Sequence, residues 1–325
     1  MATATRTAAP KQVDAVLKRD VLAGLRRPHK ELPCKYFYDR RGADLFDKLS
    51  NTPEYYVTRT ELMLLKTYAR QLADLIGEGA HLVELGGCNT QKARILLGAM
   101  RNPLVYIPVD ISTQHLWSSA MQLQLDYPYL AVRPINADFT KLTELPQDSL
   151  WVQDHVTFLF FGSTIGNFDP ISASLLLKRL AGLTIRNMMV VGVDLRKDTA
   201  VLERAYNDSA GFTAEFNLNL LLRLNRELDG EFDISSFEHI AFYNAKIGRI
   251  EMYLRSRRRQ TVRLAGETLA FEQGELIHTE NSYKYSPGQF HAIARRAHFM
   301  PVKSWTDSEH LFSLQVLAKS GERLV

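Results

Sequence analysis

The sequence has 325 residues, of which 46% are hydrophobic and 23% charged, so the chain can bury a large core and form more than one domain. Lysine and arginine together number 40 against 36 aspartates and glutamates, and this near balance disfavours a nucleic-acid partner. Two cysteines make neither a disulfide framework nor a zinc site, and no run of about 18 apolar residues predicts a membrane span.

The opening stretch, MATATRTAAPKQ, lacks the hydrophobic core of a signal peptide. We therefore expect a frayed terminus there rather than a targeting segment. The low cysteine content is typical of a protein from a reducing cytoplasm, which is the predicted location.

From His81 onward, short apolar runs alternate with helical patterns. The runs are HLVEL, LVYIPVD, LAVRPINAD, VTFLFFG and NMMVVGVDL, and segments such as TQKARILLGAM and STQHLWSSAMQLQL separate them. Continuous apolar runs are typical of strands that are buried on both faces, so the pattern predicts an α/β protein with a doubly wound parallel sheet. In such sheets the ligand binds beyond the carboxyl ends of the strands.

The pattern changes after Asp194. A helical stretch, TAVLERAYNDSAGFTAEFNLNLLLRLNREL, leads into segments with period-two alternation and glycine-containing turns, which predict antiparallel strands. A helix near Gln289 and the late apolar run LFSLQVLAK are expected to return the chain to the main sheet. The predicted parts are a leading segment that contributes to the substrate domain (1–60), a main domain (61–195 and 287–325) and an inserted substrate-recognition domain (196–286).

Small and acidic residues follow the predicted strands. VELGGCNTQK combines a strand, a glycine turn and a helix start with Thr90 as the expected N-cap. The turn lacks the G-x-G-x-x-G pattern of dinucleotide sites, and Glu84 would repel a pyrophosphate; an acidic residue here is instead typical of sites for S-adenosylmethionine. Asp110 is placed to bind ribose hydroxyls, and Asp138 with Phe139 to contact adenine, although a lone aspartate fits a helix cap equally well.

The stretch FFGSTIGNF, residues 160–168, begins as a buried strand and continues with small residues that leave space. Its glycines would allow a sharp turn beside a substrate, with Asn167 reaching the substrate's head group. A strand-to-helix turn without any ligand is the alternative.

Several blocks together carry a family resemblance. They are KYFYDRRGADLFDKLSNTPEYYVTRTE, LVELGGCNTQKARILL, FGSTIGNF, DLRKD, AYNDSAGFTAEFN, FEHIAFYNAKIGRIEMYLRSR and TENSYKYS. In this order they closely resemble the amino-acid Nα-methyltransferases that convert histidine to its trimethylbetaine, hercynine, in ergothioneine biosynthesis. The resemblance runs from about residue 15 to residue 318. It implies a Rossmann-like class I methyltransferase fold with an inserted α+β substrate-binding domain, S-adenosylmethionine as the methyl donor and L-histidine as the substrate.

The resemblance also implies roles for individual residues. The predicted contacts with the methyl donor are Tyr38, Gly86, Lys92, Asp110, Asp138 and Phe139. Those with the substrate's amino and carboxylate groups are Tyr55, Gly162, Asn167 and Tyr206, and those with its side chain are Met252, Glu280 and Ser282. Tyr38 and Asn167 are the candidates for catalysis, and no metal is expected. The family usually has a glycine where this sequence has Cys88, and Asn89 is expected to absorb the turn in a left-handed conformation.

Alternatives remain at this point. The same fold would serve methylation of another amino acid or small amine, and a noncatalytic adenosyl-binding module would keep the same strand-end residues. Glu280 and Ser282 alternate on one strand face, which could simply be solvated. Tyr55 is chosen over Tyr56 by its place in the motif, with the other tyrosine left to pack in the core. RNA methylation is disfavoured by the charge balance, and a monomer is expected.

Overall fold

The structure is a computed structural model that describes residues 14–145 and 156–321. The opening stretch predicted to be frayed lies outside these residues. Within them the chain forms nine α-helices and fourteen β-strands. The helices are α1 (Ala15–Leu25), α2 (Arg40–Ser50), α3 (Tyr56–Ile76), α4 (Gln91–Leu97), α5 (Thr113–Asp126), α6 (Pro170–Gly182), α7 (Thr199–Ala205), α8 (Phe212–Glu227) and α9 (Pro287–Arg296). The strands are β1 (Lys30–Glu31), β2 (His81–Leu85), β3 (Val105–Asp110), β4 (Ala131–Val132), β5 (Ile135–Asn136), β6 (Val156–Phe160), β7 (Asn187–Asp194), β8 (Phe237–Asn244), β9 (Arg249–Ser256), β10 (Gln260–Leu264), β11 (Glu267–Phe271), β12 (Leu276–Tyr283), β13 (Phe299–Thr306) and β14 (Phe312–Lys319).

The main sheet has eight strands among the described residues, in the order β13-β14-β7-β6-β2-β3-β4, with β5 also on β3. The strands from β7 to β4 are parallel, whereas β14 runs antiparallel to β7 and β13 antiparallel to β14. The predicted doubly wound sheet is therefore confirmed, and an antiparallel hairpin at one edge is added to it. Strands β2, β6 and β7 are buried along their whole lengths, as continuous apolar runs require.

Two predicted elements are interrupted. The run LAVRPINAD forms two short strands instead of one, because Pro134 between them has no N–H to donate to the sheet. The long helical stretch after residue 198 divides into α7 and α8. Asp208 in the intervening loop accepts hydrogen bonds from the N–H groups of Phe212 and Thr213, which begins a new helix there.

The described residues divide into two compact units. The large unit comprises residues 38–145, 156–213, 241–251 and 281–321, and contains the whole main sheet. The small unit comprises residues 14–37, 214–240 and 252–280, and contains the β10-β11 hairpin. Strands β8, β9 and β12 belong to a four-stranded sheet of order β1-β12-β9-β8 and each contribute residues to both units. No helix in the described ranges is long and apolar enough to cross a membrane.

Candidate active site

The glycine turn after β2 leaves open space at the end of the strand. Gly86 has φ +79°, a left-handed conformation that favours glycine, and a β-carbon there would meet nothing within 4 Å. The expectation that Asn89 takes the left-handed conformation is wrong, because Asn89 has no positive φ. The Asn89 side chain instead accepts a hydrogen bond from the N–H of Gln91 at 3.0 Å, while Thr90, at the N-cap position, makes no such bond.

Two carboxyl groups lie near this turn. Asp110 ends β3, and because Leu85 pairs with Val109, the Gly86 turn and Asp110 lie at neighbouring strand ends. Burial raises the pKa of the Asp110 carboxyl, which accepts a hydrogen bond from the N–H of Ser112 at 2.7 Å. Glu84 is buried and accepts the hydroxyl proton of Tyr106, and burial raises the Glu84 pKa to about 7. Glu84 and Asp110 are therefore carboxyl groups with little access to water, at the edge of the main sheet where a ligand is expected.

Asp138 and Phe139 follow the end of β5. Asp138 caps a short 3₁₀ turn, accepting from the Thr140 N–H at 3.1 Å. The Phe139 ring packs edge-on to Phe160 at 5.5 Å and to Phe168 at 6.3 Å between ring centroids. The capping alternative considered for Asp138 therefore occurs, and its predicted contact with adenine stays a prediction.

A buried carboxylate on α3 connects two predicted site residues. Glu61, on α3, is fully buried and forms an ion pair with Lys92. It also accepts the N–H of Gly162 at 2.8 and 2.9 Å from its two oxygens. Gly162 has φ +76°, in the left-handed region that favours glycine. Lys92, predicted at the methyl donor, and Gly162, predicted at the substrate, are thus held by one side chain that the sequence motifs did not single out.

The turn that follows β6 is held against its neighbours by small residues. Ser163 accepts a hydrogen bond from the Asp194 N–H at 3.0 Å. Gly166 lies against the backbone of Tyr283, where a β-carbon would come within 2.8 Å of the carbonyl oxygen. Asn167 ends the turn and is half-buried. Its side-chain amide makes no hydrogen bond among residues 14–145 and 156–321, and its predicted contact with the substrate stays a prediction.

Four aromatic rings of the large unit form a continuous run. The Tyr38 ring meets Phe46 at 5.6 Å, Phe46 meets Tyr55 at 6.1 Å, and Tyr55 meets Tyr206 at 6.2 Å, all edge-on. Tyr206 in turn donates its hydroxyl proton to Ser282 at 2.8 Å. The structure therefore connects a residue predicted at the methyl donor, Tyr38, with three predicted at the substrate.

The loops that carry Tyr55 and Tyr206 are fixed by polar contacts. Arg59 donates hydrogen bonds to the carbonyl oxygens of residues 52, 53 and 55. Glu54 accepts from both the N–H and the hydroxyl of Ser209, at 3.1 and 2.7 Å, and so joins the two loops. This bracing limits the movement of the rings between them.

A charged cluster is buried where β7 ends. Asp194 is fully buried and accepts hydrogen bonds from the Tyr56 hydroxyl at 2.8 and 2.9 Å, from Lys284 at 2.6 Å, and from Lys197. Burial alone would raise the pKa of the Asp194 carboxyl, but the two ammonium groups outweigh it and hold that pKa below its ordinary value. Burial, together with the Lys284 charge, lowers the pKa of Lys197 to about 8. Tyr56 thus belongs to a polar cluster rather than to an apolar core.

Two predicted pocket residues belong to the small unit. Met252, on β9, is buried, and Glu280, on β12, is half-buried. The negative charge of Glu280 is one reason, after burial, that the pKa of the nearby Cys34 thiol is raised to about 12. The expected roles of Met252 and Glu280 toward a substrate stay predictions.

Sequence reasoning missed Glu61, Lys197 and Lys284. Glu61 is the last residue of the block that ends in VTRTE, but nothing in its helical pattern points to a partner 101 residues away, Gly162. Lys284 did have one: it follows Glu280 and Ser282 at the same two-residue spacing, which places all three on one face of an extended chain. No group of three or more His, Cys, Asp or Glu residues in the described ranges is arranged to hold a metal ion.

Comparison with known proteins identifies the class. Residues 17–319 match the family described as "Histidine-specific methyltransferase, SAM-dependent". A "Histidine N-alpha-methyltransferase" of Mycolicibacterium smegmatis is 40% identical over 313 residues, covering 93% of this chain and 95% of that protein. The protein of the same description from Mycobacterium tuberculosis is 38% identical over 310 residues, with the same coverage. "Ergothioneine biosynthesis protein 1" of Neurospora crassa is 30% identical over 299 residues, covering 90% of this chain and 33% of that protein.

The sheet, the open glycine turn and the match together define an enzyme, a methyltransferase that uses S-adenosylmethionine. More narrowly, the chain belongs to the family of histidine-specific, S-adenosylmethionine-dependent methyltransferases. The predicted enzyme is thereby confirmed over a noncatalytic adenosyl-binding module. The residues present fit the donor, because a β-carbon at Gly86 would meet open space and the Asp110 carboxylate at the adjacent strand end is a group that can accept hydrogen bonds from hydroxyls; their contacts with the donor stay predictions.

Proposed function

We propose that the enzyme transfers three methyl groups in turn to the α-amino nitrogen of L-histidine, giving hercynine, the first step of ergothioneine biosynthesis. The family match and the names of the relatives support histidine as the substrate. The structural observation that carries the proposal is the run of rings from Tyr38 to Tyr206, which ends on the Ser282 hydroxyl. After the third methyl transfer the amine is a quaternary cation without N–H groups, and aromatic faces are the protein surface that suits such a cation.

Positioning is the main catalytic requirement of this reaction. S-adenosylmethionine would supply an electrophilic methyl group, and its sulfonium would leave as a neutral thioether. The attacking nitrogen must be an amine with a free lone pair, so the ammonium formed by each of the first two transfers must lose a proton to water before the next transfer. The Asn167 amide has both a donor and an acceptor, and is proposed to donate to the substrate's carboxylate and accept from its amine, which orients the nitrogen. Tyr38, half-buried against Phe46, is proposed to organise the reacting groups. The third methylation leaves no lone pair on the nitrogen, so the series ends at the trimethylated product.

Recognition of the histidine side chain is proposed to involve Ser282 and Glu280. They are alternate residues of β12 and so project from the same face of that strand. A hydroxyl that meets one imidazole nitrogen and a carboxylate that accepts from the other would discriminate against an indole or a phenol, which lack the second polar atom. Met252 is proposed to provide an apolar wall for the ring.

The test is a substrate panel. Purified protein is incubated with S-adenosylmethionine and, separately, histidine, tryptophan, tyrosine or a simple amine, and products are identified by mass spectrometry. We expect mono-, di- and trimethylated histidine to appear in that order. Preferred methylation of tryptophan or tyrosine would support the alternative substrate class, and an absence of methylated histidine, with the donor shown by calorimetry to bind, would refute the proposal.

The proposed role of Asn167 in holding the substrate is tested by a single substitution. Asn167→Ala should lower kcat/KM for histidine by about tenfold or more, because two polar groups of the substrate lose a partner. Donor affinity, measured by calorimetry, should be retained. An unchanged kcat/KM would remove Asn167 from the site.

The remaining expectations are a monomer, a cytoplasmic location and no nucleic-acid substrate. The basic cluster at residues 255–259 is neutralised by acidic partners, since Arg255 and Arg257 pair with Glu238, and Arg258 pairs with Asp233. We propose on this ground that the cluster is a solvated surface rather than an RNA site.

Light scattering on the purified protein tests the expectation of a monomer, and cell fractionation tests the expected location.

A further inference from the structure

Lys284 is a buried ammonium group whose hydrogen bonds are all accounted for. Its side chain has 0% exposure. The nitrogen donates to Asp194 at 2.6 Å, to the Ser282 hydroxyl at 2.7 Å and to the Tyr206 hydroxyl at 3.0 Å. A lysine ammonium has three protons, so each of them has one partner. The nitrogen also lies 4.8 Å from the centre of the Tyr206 ring.

Charge balance alone does not explain this lysine. The Asp194 carboxylate already has Lys197 as an ion partner, with 7% exposure of the lysine side chain, and the Tyr56 hydroxyl as a further donor. Asp307, which is also buried, adds a negative charge near Lys197, so Asp194 is neutralised without Lys284, and burying a second ammonium group is costly. The Lys284 ammonium group therefore has a role other than neutralising Asp194.

The reason lies in the two hydroxyl groups that Lys284 binds. Tyr206 donates to Ser282 at 2.8 Å, in the direction expected because a phenol is the more acidic hydroxyl. The Ser282 oxygen then accepts two hydrogen bonds, from Lys284 and from Tyr206, and both of its lone pairs are used. Among the described residues, the Ser282 hydroxyl proton is therefore the part of this group that is left to make a further hydrogen bond.

We propose that Lys284 is a positioning residue that makes Ser282 a hydrogen-bond donor toward the substrate, so that the site selects an acceptor atom there. Taken with the proposed function, on which this step rests, the acceptor is the unprotonated ring nitrogen of a neutral imidazole. Without the Lys284 ammonium, Ser282 could rotate to accept instead, and a substrate with an N–H at that place would no longer be excluded. Lys284 acts through Ser282 and does not itself touch the substrate.

The experiment compares two lysines on the same carboxylate. Lys284→Met and Lys197→Met each remove one ammonium from Asp194 and leave it paired with the other, but only the first removes a donor from Ser282. We expect Lys284→Met to raise the KM for histidine by about tenfold or more. Lys197→Met should change that KM by less than about threefold. Donor affinity, measured by calorimetry, should stay within about twofold in the Lys284 variant.

A double-mutant cycle with Ser282→Ala separates positioning from general damage. If Lys284 acts through Ser282, adding Lys284→Met to Ser282→Ala should raise the KM by less than about threefold further, because the hydroxyl to be positioned is gone. The inference would be overturned if the KM increase in the double variant were the product of the increases in the two single variants. Equal KM changes in the two lysine variants, or loss of donor binding in the Lys284 variant, would also overturn it. Turnover of histidine by the parent enzyme is measured first, so failure of the proposed function is recognised separately.

Discussion

The buried carboxyl of Glu84 makes a pH-dependent stability prediction. Its pKa is about 7 in the folded chain against an ordinary value of 4.5, with burial as the largest cause. A folded pKa above the unfolded one means that the group contributes stability below pH 4.5, and that this contribution is lost as pH rises through 7. Glu84→Gln cannot ionise and still accepts the Tyr106 hydroxyl proton. At ~1.4 kcal/mol per pKa unit, the variant should be more stable than the parent by about 3 kcal/mol at pH 8.

The measurement is urea unfolding of parent and variant at pH 5, 6.5 and 8. Every other titrating group is common to the two proteins, so the difference between their free energies of unfolding isolates Glu84. It should be small at pH 5 and grow steadily to pH 8. Glu78→Gln is the control, because the Glu78 side chain is 64% exposed, and its difference should stay within about 0.5 kcal/mol at every pH. A Glu84 difference that does not grow with pH, or a variant less stable at pH 8, would refute the reasoning.

Two further predictions concern stability. Gly166→Ala should cost ~1–3 kcal/mol, because its β-carbon would come within 2.8 Å of the Tyr283 carbonyl oxygen, and backbone cannot rotate aside. Gly182→Ala, where a β-carbon meets nothing within 4 Å, is the matched control in urea unfolding and should show no comparable loss. Asp194→Asn should cost ~3–5 kcal/mol at pH 7, because two buried ammonium groups lose their carboxylate. The Asp194 pKa is below its ordinary value of 3.8, so the cost of the substitution should shrink as pH falls below 3.8. A cost under ~1 kcal/mol at pH 7 would show that Asp194 does not stabilise the two ammonium groups.

The main sheet was predictable because its strands carry the signal themselves. A strand buried on both faces must be apolar throughout, and β2, β6 and β7 are. Strand β13 was not predicted, because it lies at the edge of the sheet, pairs on one side only and has only two buried residues, Phe299 and Trp305. Pro301 interrupts its apolar pattern, and the pairing register shifts there.

The candidate site was predictable only in part, for a related reason. Residues that follow strands, such as Gly86 and Asp110, are located by the strands themselves, since parallel strands end at one edge of the sheet. The partners of buried charges have no such rule. Glu61 lies in α3, and its use depends on how that helix packs, which no local pattern reports. The same is true of Tyr56, whose hydroxyl partner Asp194 is 138 residues away.

The buried cluster explains how segments far apart in sequence act as one unit. Tyr56 begins α3, Asp194 ends β7 and Lys284 follows β12, so the hydrogen bonds that Asp194 accepts from Tyr56 and Lys284 join three segments. Without the Asp194 carboxylate, two ammonium groups would have no counter-charge in a place that water does not reach, so partial assembly around Asp194 is disfavoured. Cooperative assembly of this kind resists small displacements. Methyl transfer depends on aligning a nitrogen with a methyl carbon, and a frame that resists displacement is the property that such alignment requires.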